Sequence, residues 1–155
     1  QCSLDIAGLA NQQLECGHNE LKSLPDLPTK LIKLDCWNNQ LISIPELPNS
    51  LQNLSCSNNQ LSKLPKLPNS LKHLSCGINN LIELPKLPNS LKHLSCCKNK
   101  FKELPELPNS LKILYCSHNQ LTSLPYLPNN IKISIEQDNE IEIYSLLRKR
   151  YDIPE

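Results

Sequence analysis

A 20-residue unit, L-x-x-L-x-C-x-x-N-x-L-x-x-L-P-x-L-P-x-x, runs in unbroken phase through residues 31–50, 51–70, 71–90 and 91–110, with Ile44 and Phe101 as apolar replacements. Residues 11–30 and 111–130 fit the same frame, although Asn11 stands where the opening Leu belongs. From Ile131 the frame keeps Asn139 and Ile141 in phase and loses its Leu and Cys positions. No other feature constrains this chain as tightly. A unit this short cannot bury an apolar face alone, so each copy must lean on the next, and the end copies depart from the pattern because they cap the stack. The expected layout is one domain over residues 1–155: an N-terminal cap at 1–10, six repeats across 11–130, and an atypical last repeat with a C-terminal cap at 131–155. In that cap Ile141, Ile143, Leu146 and Leu147 are expected to cover the last coil while Arg148, Lys149 and Arg150 face water.

Within each unit the second half of L-x-x-L-x-C alternates apolar and polar residues, the period-two signature of a short, half-buried strand. The L-P-x-L-P run cannot be helical, because each Pro lacks an amide donor and drives the Leu before it into extended geometry. A polyproline-like return path suits an outer arc, where no neighbouring ladder is available and the backbone stays solvated. One strand per copy, stacked in register, makes a parallel sheet at a spacing of about 4.8 Å. The sheet then lines the concave face of a solenoid whose convex side is extended, with little helix. Leucines at the first, fourth, eleventh, fourteenth and seventeenth positions form core columns, exemplified by Leu54, Leu61, Leu64 and Leu67. Asn recurs at 19, 39, 59, 79, 99, 119 and 139, where the chain leaves the strand and turns. Its amide carries donors and an acceptor, so stacked copies can satisfy turn groups that burial would otherwise orphan.

The chain has eight cysteines, a number that raises disulfides or zinc, yet Cys16, Cys36, Cys56, Cys76, Cys96 and Cys116 share one inward repeat position. There they act as small hydrophobes. Adjacent strands hold Cβ atoms about 5 Å apart, whereas a disulfide wants about 3.8 Å, and a buried file of thiols offers no tetrahedral cluster for zinc. Free thiols in that number point to a reducing compartment, a cytoplasm, that of a host cell included. Cys2 and Cys97 fall outside the column, and Cys97 is expected on the sheet face with no base fixed beside it. His73 and His93 share one strand position in successive copies, near Ser75 and Ser95. Two histidines without a third ligand do not define a metal site, so no metal or cofactor is expected. With 3 Gly in the chain there is no phosphate-cradling loop, and neither a paired acid set nor a Ser-His-Asp order appears, so catalysis has no support. The net charge of +1 excludes attraction of polyanions by bulk charge. No apolar run is long enough to span a bilayer, and the opening QCSLDIAGLA does not read as a secretory signal. The absence of an initiating Met reads as processing, or as a piece of something longer.

The stretch LPNSLKHLSC at 67–76, joined to SNNQLSKLP at 57–65, resembles the bacterial-type leucine-rich repeat, the 20-residue class of YopM- and IpaH-like effectors, with similar repeats in giant DNA viruses. The resemblance covers residues 11–130. It departs from the family in placing Cys where those repeats usually carry Val or Leu, and in lacking the helical hairpin that commonly precedes them. It implies a leucine-rich-repeat horseshoe that binds a protein in an effector or adaptor role. The alternative it implies is the substrate-recognition arm of a larger effector, such as an E3 ubiquitin ligase, whose catalytic domain is absent here.

Recognition then falls to the strand positions that the repeat leaves variable. One column reads Gln12, Ile32, Gln52, Lys72, Lys92, Lys112, Lys132; the next reads Gln13, Lys33, Asn53, His73, His93, Ile113; a third reads Glu15, Asp35, Ser55, Ser75, Ser95, Tyr115. Stacked lysines repel one another, which either solvation or an acidic partner surface relieves. Trp37 and Tyr115 offer the aromatic area that interfaces favour. The candidate partner-binding residues on the concave face are Lys33, Asp35, Trp37, Lys72, His73, Lys92, His93, Lys112 and Tyr115. The expected partner is a protein, acidic in one reading. Nucleic acid is not expected, because the basic stripe lacks interleaved aromatics, nor is a membrane. The chain itself is expected as a monomer or a weak end-to-end oligomer.

Overall fold

The computed structural model describes residues 12–129 and 131–134. Strands β1 (Gln13–Glu15), β2 (Lys33–Asp35), β3 (Asn53–Ser55), β4 (His73–Ser75), β5 (His93–Ser95), β6 (Ile113–Tyr115) and β7 (Lys132–Ser134) form one 7-stranded parallel sheet in chain order. No helix occurs among the described residues, and the L-P-x-L-P segments are extended, as the prolines require. The solenoid expected from the repeat is the solenoid observed. The expected caps, Cys2, Asn139 and the apolar and basic residues at 141–150 lie outside the described residues.

The core is a set of columns. Leu54, Leu61, Leu64 and Leu67 are 2%, 0%, 8% and 4% exposed, and their counterparts in neighbouring copies are similarly enclosed. Leu27 and Leu47 are only partly buried, so the seventeenth-position column closes fully from Leu67 onward. Phe101 takes a leucine place and is completely buried. Enclosing one such side chain is worth roughly 2 kcal/mol, and a copy contributes several.

Through β6 the paired residues are one repeat apart, Leu34 opposite Leu54 and Leu74 opposite Leu94. The last pairing differs: Ile113 faces Lys132 and Leu114 faces Ile133. In the 20-residue frame Ser134 would take the inward place. Because side chains alternate between faces, slipping the register by one residue gives that place to Ile133 instead, which packs against the core. The same slip corrects the column assignment of Lys132. It joins the file of His93 and Ile113, not that of Lys72, Lys92 and Lys112.

Strands of three residues cannot hold a sheet unaided, and the inter-repeat ladder runs well past them. Before β4, Lys72 N donates to Gln52 O at 2.8 Å; after β3, Cys56 N, Asn58 N and Asn59 N donate to Ser75 O, Gly77 O and Ile78 O at 2.8, 2.9 and 3.1 Å. The asparagine file closes the turn. Asn59 Nδ2 donates to Cys36 O and Cys56 O, both at 3.1 Å, while its Oδ1 accepts from Leu41 N at 3.0 Å. Asn39, Asn79, Asn99 and Asn119 repeat this pattern. A second file was not legible in advance: Ser50, Ser70, Ser90 and Ser110, each the last residue of its copy, donate from Oγ to the carbonyl of the leucine that opens the same copy, at 2.5–2.7 Å.

The bend itself falls one residue before each asparagine. His18, Asn38, Asn58, Ile78, Lys98 and His118 all have φ between 53° and 55°. Asn tolerates this left-handed conformation, whereas a β-branched residue crowds its own carbonyl there. Ile78 is thus a strained residue on an otherwise regular scaffold.

Two stability measurements follow from this geometry. Asn59→Ala orphans Leu41 N and takes one of two asparagine donors from Cys36 O and Cys56 O, which keep Asn39 and Asn79; an unsatisfied buried group costs about 1–3 kcal/mol, so urea unfolding is expected to show a loss in that range. Asn69→Ala, at an exposed corner, is expected to cost less than about 0.5 kcal/mol. Conversely, Ile78→Asn is expected to gain about 1 kcal/mol by removing the left-handed strain, read as a higher Tm than the parent chain.

Candidate partner-binding face

With the fourth and sixth positions of each copy turned inward, the second, third, fifth and seventh project from the sheet face. Two clusters result. At the β1–β2 end, Lys33 Nζ meets Glu15 Oε1 at 2.6 Å, and this bond holds the Glu15 carboxyl below its ordinary range and raises the Lys33 ammonium. Asp35 lies opposite Glu15 on one side and Ser55 on the other, with its Oδ1 buried and without a hydrogen-bond partner. Trp37 keeps 38% of its surface exposed. Its indole meets the His18 ring nearly edge-on, centroids 3.8 Å apart at 72°. It lies in space that Gly17 leaves open, since a Cβ there would come within 2.7 Å of Trp37 Cδ1 and Nε1. His18 Nδ1 is 2.7 Å from Asn38 Nδ2, and Asn38 Oδ1 accepts from Asn58 Nδ2 at 2.5 Å. Trp37 is therefore an exposed aromatic side chain whose orientation its neighbours fix.

At the β4–β6 end, Lys72, Lys92 and Lys112 stack beside His73 and His93, whose ring centroids are 4.5 Å apart. Lys72 Nζ donates to Gln52 Oε1 at 2.9 Å; Lys92 and Lys112 extend into water. His73 is held below its ordinary pKa by partial loss of water, then by His93, Lys92 and Lys72. Tyr115, opposite Ser95, ends this cluster with 43% of its surface exposed. Cys97 is half-buried and its Sγ accepts from Ser117 Oγ at 3.2 Å.

The nine sequence-derived residues thus divide in two, Lys33, Asp35 and Trp37 at one end and the remaining six at the other. Lys33 is not a free cation, because Glu15 engages it. That pairing was readable, since the third and fifth positions of adjacent copies are diagonal neighbours. The support that Gly17 and His18 give Trp37 was not, because it depends on where the seventh-position side chain leans.

The cysteine column offers little chemistry. Cys36, Cys56, Cys76, Cys96 and Cys116 are buried free thiols, and Cys16 is buried in line with them. Loss of water, reinforced by neighbouring cysteines, pushes Cys76 and Cys116 up to about 12 and also raises Cys36, Cys56 and Cys96. A thiol that stays protonated is a poor nucleophile and a poor metal ligand. Among the described residues no three His, Cys, Asp or Glu side chains converge as a metal cluster.

The Leucine Rich Repeat family model matches residues 50–74 and 110–131. No curated protein matches the chain. Among solved structures, YopM from Yersinia enterocolitica is 35% identical over 79% of this chain and 32% of its own, with a TM-score of 0.65. YopM from Yersinia pestis, described as a leucine-rich effector protein, is 35% identical over 80% of this chain and 42% of its own, with a TM-score of 0.71. A Shigella effector LRR domain is 37% identical over 81% of this chain and 61% of its own, with a TM-score of 0.72. The chain spans about a third to three-fifths of the length of these structures.

The thiol column makes stability depend on alkaline pH. Unfolded thiols release their protons near 9.0 while Cys76 and Cys116 keep theirs to about 12. The native state then binds more protons than the unfolded one, so stability is full below about pH 9 and declines above it, by about 1.4 kcal/mol per thiol per pH unit. Urea midpoints taken from pH 8 to 11 are expected to fall accordingly, and to fall less steeply in the Cys76→Ala, Cys116→Ala chain.

Proposed function

Since the chain belongs to the bacterial-type leucine-rich-repeat family, we propose that it is a protein-interaction module that takes its partner on the concave sheet face and acts by binding, not catalysis. One observation carries this reading. The repeat commits every inward position to columns and ladders, and leaves on the sheet face two unlike clusters, an ordered Trp37 beside Asp35 and a file of lysines and histidines. Aromatic anchors with a pre-set orientation are efficient interface residues, because little side-chain freedom is lost on binding. The lysine file favours a partner that is acidic where it meets β4–β6. Buried free thiols fit a reducing cytoplasm, and the effector character of the matched structures fits delivery into a host cytosol. A second reading, the recognition arm of a larger effector such as an E3 ubiquitin ligase, draws on the likeness to a Shigella effector's LRR domain.

Capture of partners from a lysate of a host-type cell tests the face. Trp37→Ala combined with Lys72→Ala, Lys92→Ala and Lys112→Ala is expected to reduce capture at least about tenfold. Replacing the exposed Lys63, Lys66 and Lys86 on the other side by Ala removes the same charge and is expected to leave capture intact. Equal losses in both variants would move the binding site off the sheet face.

A further inference from the structure

The basic half of the sheet face has a pitch as well as a charge. On the projecting positions of the copies that carry β3 to β6, from Gln52 to Ser117, there is no Asp or Glu, while Lys72, Lys92, Lys112, His73 and His93 all fall there. Among the described residues the one ion pair is Lys33 with Glu15, two copies away from this patch. Among the described residues no ion pair compensates its positive charge. Building on the concave-face reading above, we propose that the β4–β6 half of this face holds an acidic α-helix of the partner, laid along the stacking axis with carboxylates at i, i+3 or i+4, and i+7 opposite Lys72, Lys92 and Lys112.

The spacing selects the helix. Lysines on adjacent parallel strands recur every 4.8 Å or so, about 9.6 Å from Lys72 to Lys112. A helix rises about 5.4 Å per turn and about 10.5 Å from i to i+7, so three successive carboxylates stay within about 1 Å of three successive ammonium groups. An extended peptide repeats its same-face residues every 6.6 Å or so and is out of step by more than 3 Å at the third lysine. Stacked bases need aromatic platforms along the file, and Tyr115 alone stands near it. At the β6 end Ile113 and Tyr115 present apolar surface, which suits an apolar residue on the next helical turn.

The imidazole pair adds a pH dependence. His73 faces Lys72 and Ser75 of its own copy, Gln52, Asn53 and Ser55 on the β3 side, and Lys92, His93 and Ser95 on the β5 side, with Lys112, Ile113 and Tyr115 beyond. None of these groups is a carboxylate, so protonation of His73 is opposed in the free chain. A row of carboxylates reverses that opposition. Binding then takes up a proton and tightens as the pH falls toward 6.

Anisotropy of labelled peptides on the full chain, at low salt, tests the proposal. The probes are an Ala-rich helical peptide with Glu at i, i+3 and i+7, a peptide of the same composition with Glu at i, i+2 and i+4, and an oligothymidylate of equal charge. The helix-spaced peptide is expected to bind about tenfold more tightly than the other two. Lys72→Ala with Lys92→Ala and Lys112→Ala is expected to weaken it at least about tenfold. Its Kd is expected to fall roughly threefold from pH 7.5 to pH 6, and to stay flat in the His73→Gln, His93→Gln chain. Equal binding of the two peptides, tighter binding of the oligonucleotide, indifference to the lysines or a pH-independent Kd would each overturn it. If the lysine variant loses partner capture while the helix-spaced peptide shows no preference, the helical occupant falls and the concave-face reading stands.

Discussion

Everything in this structure depends on the bonds that one copy makes to the next through the turn asparagine. Each buried asparagine amide satisfies two carbonyls, one in its own copy and one in the preceding copy, and accepts an amide of the preceding copy. In a chain whose strands are three residues long, these side chains reinforce the ladder across the inner corner, beside the backbone bonds that continue through the turn. The leucine columns supply most of the driving force for stacking, but burial is non-directional. The asparagines, helped by the serine file at the end of each copy, set the register in which the leucines meet.

That register is what turns a repetitive sequence into a sheet face with distinct local features. With copies locked in phase, side chains from residues 20 apart stand side by side, so a difference between copies appears as a local feature of the face. Lys33 is neutralised because its neighbour carries Glu15; Lys72, Lys92 and Lys112 are not, because their neighbours carry Ser, Gln and His. The near-neutral whole chain is thus divided into a paired, aromatic end and an unpaired basic end. Net charge conceals this division.

The cysteines show how a residue type changes meaning with position. In a short chain, eight of them suggest a covalent or metal framework. Held in one inward column, six of them serve as compact apolar side chains, and the loss of water that makes them good core residues also suppresses the ionisation of Cys76 and Cys116. Cys97, one position further on, is half-buried against Ser117 and belongs to the surface.

The sequence by itself determined the solenoid, the inward columns, the extended proline segments and the structural duty of the asparagines, because a period of 20 residues with fixed apolar positions admits one way of sharing a core. It also determined which positions vary. Only the tertiary structure decided that the bend falls at the residue before each asparagine, Ile78 included, and that Gly17 and His18 position Trp37. It also decided that the last copy slips by one residue so that Ile133 packs against the core, which carries Lys132 out of the lysine file. Those outcomes turn on contacts between copies, where a side chain's neighbour lies 19 or 20 residues away and its direction is fixed by packing, and a repeat pattern specifies the kind of residue at each position without specifying that direction.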